Sequence, residues 1–146
     1  MEPIAFQLQE ISIRQEPLET TPLPGPTGES NRLSTHARGV ILCLGPSSTD
    51  ALEQAEVARS TGCHAIMAAG LSADALVDLE GIQGAAFWGG EADARAYRKA
   101  LAARDGALVP LITAADIRPY CTIERHICID TTAAGGNASL LAGIET

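Results

Sequence analysis

Four cysteines and three histidines are the side chains that could carry nucleophilic or metal chemistry in this chain of 146 residues. The cysteines are Cys43, Cys63, Cys121 and Cys128, and no two of them form a C-x-x-C pair. Zinc sites need closely spaced ligand pairs, so this spacing does not favour a metal site. We expect reduced thiols, three of them in the core, as is usual for cysteine in a cytosolic protein.

Thiol catalysis would need a cysteine activated by a neighbouring base, and Cys63–His64 is the only adjacent pair. Successive residues of a strand point to opposite faces, so this imidazole would not contact the sulfur. His126 shares a strand face with Glu124 and Asp130 at spacings that do not match a metal site, and we expect it to be solvated. The residues therefore predict no catalytic set and no metal site.

A glycine-containing turn between a strand and a helix is where nucleotides bind in α/β folds. Here the turn runs from Gly45 to Asp50 and lacks the G-x-G-x-x-G spacing. Pro46 removes an amide that could bind phosphate, and Asp50 adds a negative charge near the helix start. Ser48, Thr49 and Asp50 are candidate helix caps, and Glu53 stands three residues after Asp50, as a capping box requires. We predict no cofactor site, and a small nucleotide-binding enzyme or sensor that uses this turn stands as the alternative function.

Strands and helices alternate from residue 39 onward and place these side chains. Apolar runs predict the strands, and alanine-rich segments predict the helices. Short connections between them indicate a Rossmann-like parallel sheet with helices on both faces. Pro110 lacks an amide hydrogen, so the last of these strands should lie at an edge or carry a bulge. The predicted strands are 39–44, 64–69, 84–88 and 107–112, and the predicted helices are 51–61, 73–79 and 91–103.

Both chain ends have a different pattern. Alternation of Ile4, Phe6 and Leu8 with polar residues predicts a strand or hairpin within 1–16. Residues 120–131 alternate in the same way and predict a half-exposed strand paired with the first, so that both ends form a β-hairpin or flap. The proline-rich segment from 17 to 37 is expected to be irregular and extended.

The tail after Asp130 contains small residues and paired glycines, which let a backbone lie close to another surface. We therefore expect it to dock. The predicted organisation is a β-flap strand with the proline-rich segment at 1–37, a Rossmann-like domain at 38–118, a second flap strand at 119–133 and a docking tail at 134–146.

Charge and hydropathy exclude two classes of partner. The net charge is −8, with one lysine, so the chain would repel nucleic acid. No apolar run approaches the ~20 residues of a membrane span, and the start lacks a signal-peptide pattern. We expect a cytoplasmic chain without membrane insertion.

Two specific blocks and one generic block resemble the C-terminal domain of long-form bifunctional proline utilization A. The specific blocks are Leu23-Pro-Gly-Pro-Thr-Gly-Glu-Ser-Asn31 and the run from Ile123 to Leu140, and the generic one is Ala102 to Val109. The likeness covers roughly 23–140. The family commonly has Asn-Thr where Asp130-Thr131 stands, and serine where His126 stands, so no single-residue role is carried over at those positions.

The resemblance implies a bacterial parent enzyme of proline catabolism. One domain of that family oxidises proline with FAD, and an aldehyde dehydrogenase domain oxidises glutamate semialdehyde with NAD. The C-terminal domain has an aldehyde-dehydrogenase-superfamily fold with a β-flap, is not catalytic and binds neither cofactor. The chain would then be an excised fragment, not an enzyme by itself, from a cytoplasmic parent that associates peripherally with the inner membrane.

The resemblance also implies the partners. The domain covers the aldehyde dehydrogenase domain of the same polypeptide and the substrate-channelling tunnel, and the β-flap strands suggest a homodimer. The expected docking residues are Pro24, Gly25, Pro26, Thr27, Gly28, Thr131, Thr132, Ala133, Ala134, Gly135, Gly136, Asn137, Ala138, Ser139 and Leu140.

Overall fold

A computed structural model of the chain describes residues 3–13 and 16–130. Strands and helices alternate through its middle, as the apolar runs predict. In chain order the elements are α1 (Ile4–Gln9), β1 (Glu19–Leu23), β2 (Glu29–Ala37), β3 (Val40–Cys43), α2 (Ser48–Ser60), β4 (His64–Met67), a 3₁₀ helix (Ala73–Leu76), β5 (Gly84–Ala86), α3 (Glu91–Ala102), β6 (Leu111–Ile112), a 3₁₀ helix (Arg118–Tyr120) and β7 (Thr122–Asp130).

The described residues divide into two compact units. The first contains 3–13 and 37–123, and the second contains 16–36 and 124–130. The first unit holds the parallel sheet and its helices, and the second holds most of a separate three-stranded sheet.

A four-stranded parallel sheet in the order β4-β3-β5-β6 forms the centre of the first unit. All four residues of β3 are buried, since this strand has a neighbour on each side and helices on each face. Val40 and Leu42 pack into one apolar cluster, whereas Ile41 and Cys43 pack into another. The alternation of side chains along a strand therefore divides the core into two layers, and the predicted α/β fold class is confirmed.

Small residues let the helices lie close to this sheet. Ala51, Ala55 and Ala58 of α2 are buried in the layer that contains Cys43. Ala94 and Leu101 of α3 are buried in the opposite layer. Cys43, Cys63 and Cys121 are buried and Cys128 is exposed, so the expectation of three core thiols is confirmed.

The predicted strand or hairpin within 1–16 is wrong, because Ile4–Gln9 is a helix. Ile4, Leu8 and Ile11 also recur at the i, i+4, i+7 spacing of a helix, and all three pack against the core layer around Leu42. Ile4 and Leu8 fit both a strand period and a helix period, whereas Phe6 fits only the strand period and is exposed. The packing of Ile4, Leu8 and Ile11 against the core favours the helix.

The segment from 17 to 37 is not irregular, since it forms the antiparallel pair β1 and β2. Pro22 is tolerated in β1 because that strand lies at the edge of the three-stranded sheet β1-β2-β7. The long C-terminal strand is present as Thr122–Asp130, but its neighbour is β2 and not the N-terminal segment.

Several element ends differ from the sequence prediction. Strands β4 and β5 each end two residues earlier than predicted, at Met67 and Ala86. The fourth parallel strand contains only Leu111–Ile112, although the Pro110 carbonyl still accepts from the Ala85 amide at 3.0 Å. This strand lies at the sheet edge, as Pro110 predicts. The helix expected at 73–79 is a single 3₁₀ turn, Ala73–Leu76. The cap of α2 is Ser47, which precedes the three predicted candidates Ser48, Thr49 and Asp50.

Candidate interaction surface

Strand β7 presents two isoleucines to solvent. The exposed fraction is 51% for Ile127 and 55% for Ile129. The two lie two residues apart and therefore share one face of the strand. Among the described strands β7 is the edge of its sheet, with β2 as its neighbour. An edge strand with exposed β-branched side chains can pair with another polypeptide.

The opposite face of β7 contacts β2 through polar groups. The His126 Nε2 atom lies 3.0 Å from the Asn31 Oδ1 atom. The Cys128 thiol donates to Glu29 Oε1 at 3.4 Å, and the side-chain Nδ2 of Asn31 donates to the same oxygen at 2.7 Å. Loss of hydration and the Glu29 carboxylate raise the pKa of Cys128. His126 is exposed, as expected, but it contacts Asn31, so these bonds fix which face of β7 carries the isoleucines.

The predicted docking residues fall into two groups. Pro24 to Gly28 form the connection between β1 and β2, where the Glu29 amide donates to the Pro26 carbonyl at 3.1 Å. They are therefore at the end of the same sheet that contains β7. The other predicted docking residues, Thr131 to Leu140, lie outside the described residues.

The turn between β3 and α2 is the candidate nucleotide site of the alternative function. Its polar groups form hydrogen bonds with one another. The Ser47 Oγ atom accepts from the Asp50 amide at 3.1 Å, and Asp50 Oδ2 accepts from the Ser47 amide at 3.1 Å. This capping box satisfies donors at the start of α2. The Gln54 side chain, which is fully buried, accepts from the Gly45 amide at 3.0 Å and donates to the Gly45 carbonyl at 2.9 Å.

A negative charge is fixed at this helix start. Hydrogen bonds from the Ser47 side chain and amide lower the pKa of Asp50 below its usual value of 3.8. The φ angle of Gly45 is +87°, and a Cβ atom there would lie 2.7 Å from the Ser47 nitrogen. The turn is therefore built around internal bonds, and its charge opposes a bound phosphate.

Replacing Ser47 by alanine should destabilise the chain by about 1 kcal/mol, the usual cost of a lost N-cap. Asp50→Asn should be destabilising near neutral pH as well, because it removes the carboxylate that these bonds favour. The folded-state pKa of Asp50 is lowered, so its contribution is present above 3.8 and is lost as the pH falls through the lower folded value. Urea denaturation at several pH values measures both effects, and a pH-independent deficit in Asp50→Asn would contradict this assignment.

Cys63 and His64 bond to different partners. The His64 Nε2 atom lies 3.2 Å from the Ser12 carbonyl oxygen, whereas the Cys63 thiol donates to the Cys121 carbonyl at 3.0 Å. No pattern in the sequence predicts this second contact, since the two cysteines lie 58 positions apart. The sequence pattern also did not indicate a role for Gln54. Its burial depends on the fold of the turn, where its side chain bonds to Gly45.

Within 3–13 and 16–130, no group of histidine, cysteine or carboxylate side chains is arranged to hold a metal ion. Across the same residues, no helix has the length and apolar character needed to cross a membrane.

The parallel sheet and its two helical layers define a Rossmann-like α/β unit, and comparisons with known proteins identify its relatives. Over 143 residues the chain is 32% identical to the bifunctional protein PutA of Escherichia coli (strain K12), covering 82% of this chain and 11% of the relative. PutA of Rhizobium meliloti is 34% identical over 149 residues, covering 82% of this chain and 12% of the relative. No family profile matches the chain.

Solved structures agree with the sequence relatives. A mutant of Bradyrhizobium japonicum proline utilization A matches with a TM-score of 0.50 and 28% identity, over 65% of this chain and 13% of that one. A bifunctional proline utilization A protein matches with the same values. The chain is thus related to a segment of proline utilization A, as its sequence blocks predicted, and spans 11–12% of the length of the curated relatives.

Proposed function

We propose that this chain is a non-catalytic docking domain of a bifunctional proline-catabolic enzyme. In this proposal it stabilises the aldehyde dehydrogenase domain of the same polypeptide and covers the tunnel between the two active sites. The parent oxidises proline with FAD and glutamate semialdehyde with NAD, while this domain binds neither cofactor. The similarity to proline utilization A and the exposed strand β7 support the proposal.

The observation that carries the proposal is the exposure of Ile127 and Ile129 on an edge strand. Burying one isoleucine side chain contributes about 1.5–3 kcal/mol. Two of them, with backbone hydrogen bonds along this edge of the described sheet, would hold a partner that is already tethered in the same polypeptide. The hairpin loop from Pro24 to Gly28 extends this surface in the proposal, and residues 131–140 complete it.

Deleting residues 131–146 from the parent enzyme should lower semialdehyde oxidation and the coupled conversion of proline to glutamate. Proline oxidation should persist, because in this proposal the proline site is not covered by this domain. Steady-state assays of the two half-reactions and of the coupled reaction measure this, and proline oxidation serves as the internal control for folding. Unchanged coupled turnover after the deletion would refute the proposed cover.

A homodimer through the same edge would bury the same isoleucines of β7. Light scattering on the isolated chain distinguishes the two possible partners of β7, which are the aldehyde dehydrogenase domain and a second copy of the chain. A monomer favours docking on the aldehyde dehydrogenase domain, whereas a dimer favours pairing between two copies.

A nucleotide-binding enzyme or sensor is the second candidate. A cavity of about 380 Å³ favours it, since Ser48 of α2, Met67 at the end of β4 and residues 68–71 after it line the space. The cavity walls are mostly apolar, and the neighbouring capping box opposes phosphate. We therefore expect NAD at sub-millimolar concentration to leave the thermal midpoint of the chain unchanged. A clear stabilising shift would favour the sensor over the docking domain.

A further inference from the structure

Three buried thiols meet in one core layer of the first unit. Cys43 lies in β3, Cys63 lies between α2 and β4, and Cys121 lies immediately before β7. The Cys63 thiol donates to the Cys121 carbonyl oxygen at 3.0 Å, so the two residues are in direct contact within this layer. The docking function proposed above uses none of these groups.

Cys63 is the thiol of this layer that reaches solvent. Its exposed fraction is 6%, whereas Cys43 and Cys121 are 0% exposed. It lines an open cavity of about 420 Å³, together with Arg59 and His64. This cavity therefore gives a small oxidant a route to Cys63, whereas Cys121 is fully buried.

The pKa of Cys63 differs from that of a free thiol. It is lowered to about 5 from 9.0, first by the Cys121 thiol; burial opposes this change, and Gly39, Thr61 and Arg38 add smaller lowering effects. The pKa of Cys121 is raised, first by its bond with Cys63 and then by burial. Burial raises the pKa of Cys43 to about 12, which leaves that thiol protonated.

We propose that Cys63 and Cys121 form a peroxide-reactive dithiol, in which Cys63 is the attacking sulfur and Cys121 the resolving one. The Cys63 sulfur attacks one oxygen of hydrogen peroxide, the O–O bond breaks, and Cys63 sulfenic acid and one water form. The Cys121 sulfur then attacks the sulfenic sulfur, the S–O bond breaks, and a disulfide and a second water form. Two thiols are oxidised and one peroxide is reduced to two waters.

The disulfide would join the α2–β4 connection to the residue that precedes β7. It would close a loop across 58 positions of the chain, which restricts the unfolded state. The oxidised chain should therefore have a higher thermal midpoint than the reduced chain, and a thiol reductant should reverse the change.

Mass spectrometry of the wild-type chain tests the proposal directly. The chain is treated with hydrogen peroxide at neutral pH, its remaining thiols are alkylated, and it is digested. We expect a linked pair of peptides that contain Cys63 and Cys121, with the loss of two hydrogens. Cys63 should react at least about tenfold faster than the exposed Cys128, whose raised pKa keeps it protonated. Full alkylation of both cysteines after peroxide, or oxidation confined to Cys128, would overturn the proposal.

Two variants in a Cys128→Ser background separate the roles. Cys121→Ala should stop at Cys63 sulfenic acid, which dimedone traps. Cys63→Ala should leave Cys121 reduced, because the buried thiol has lost the group that reacts first. Circular dichroism checks that both variants fold, and the wild-type peptide map decides the outcome if either does not. Sulfenic acid on Cys121 in the Cys63→Ala variant would contradict the assigned order.

Discussion

Replacing Gln54 by alanine is expected to lower the free energy of unfolding by about 2–4 kcal/mol. This side chain is fully buried and bonds to both the amide and the carbonyl of Gly45. Its loss would leave the buried amide of Gly45 without that acceptor at the point where β3 leads into α2. Urea denaturation, followed by circular dichroism, measures the change.

Two further variants isolate the polar contribution. Glu56→Ala shortens an exposed side chain of the same helix and should change stability by less than about 0.5 kcal/mol. Gln54→Met keeps most of the side-chain volume but removes both hydrogen bonds, and we expect a loss of about 1–3 kcal/mol. Equal stabilities for Gln54→Ala and Glu56→Ala would show that the bridge to Gly45 does not hold the turn.

Replacing both Ile127 and Ile129 by aspartate in the parent enzyme should uncouple this domain from its partner. Each buried isoleucine would contribute about 1.5–3 kcal/mol, so the docking equilibrium should weaken by about a hundredfold or more. Both positions are more than half exposed in the chain alone, at 51% and 55%, so the fold should tolerate the charges. We expect reduced semialdehyde oxidation and a lower thermal midpoint of the dehydrogenase domain, with proline oxidation preserved.

The matched control is the pair Leu52→Asp and Leu108→Asp. These leucines are 44% and 90% exposed, and they lie in the parallel-sheet unit rather than on β7. The control should retain semialdehyde oxidation. If the control loses this activity and the β7 variant keeps it, then the docking face is not the one that we propose.

The parallel sheet could be predicted because its signals are local. The apolar run at β3 and the alanines of α2 each specify an element without reference to distant residues. The helix of the N-terminal segment could not be predicted, because Ile4 and Leu8 satisfy both a strand period and a helix period. Its helix is favoured by packing against the core layer around Leu42, and this packing depends on the whole fold.

The candidate interaction surface could likewise be predicted only in part. The alternation of β7 predicts which side chains share a face, and the structure keeps Ile127 and Ile129 together on one of them. Its neighbour β2 could not be predicted, because the Asn31–His126 contact joins residues 95 positions apart. The pairing of Cys63 with Cys121 and the burial of Gln54 likewise depend on tertiary contacts, for which a single sequence carries no periodic signal.

Sedimentation velocity on a mixture of this chain and a parent enzyme truncated before it tests the docking claim most directly. The docking account predicts a co-sedimenting complex with the wild-type chain, and none with the variant that carries aspartate at 127 and 129. Independent sedimentation of the wild-type chain, or equal binding of that variant, would contradict the account.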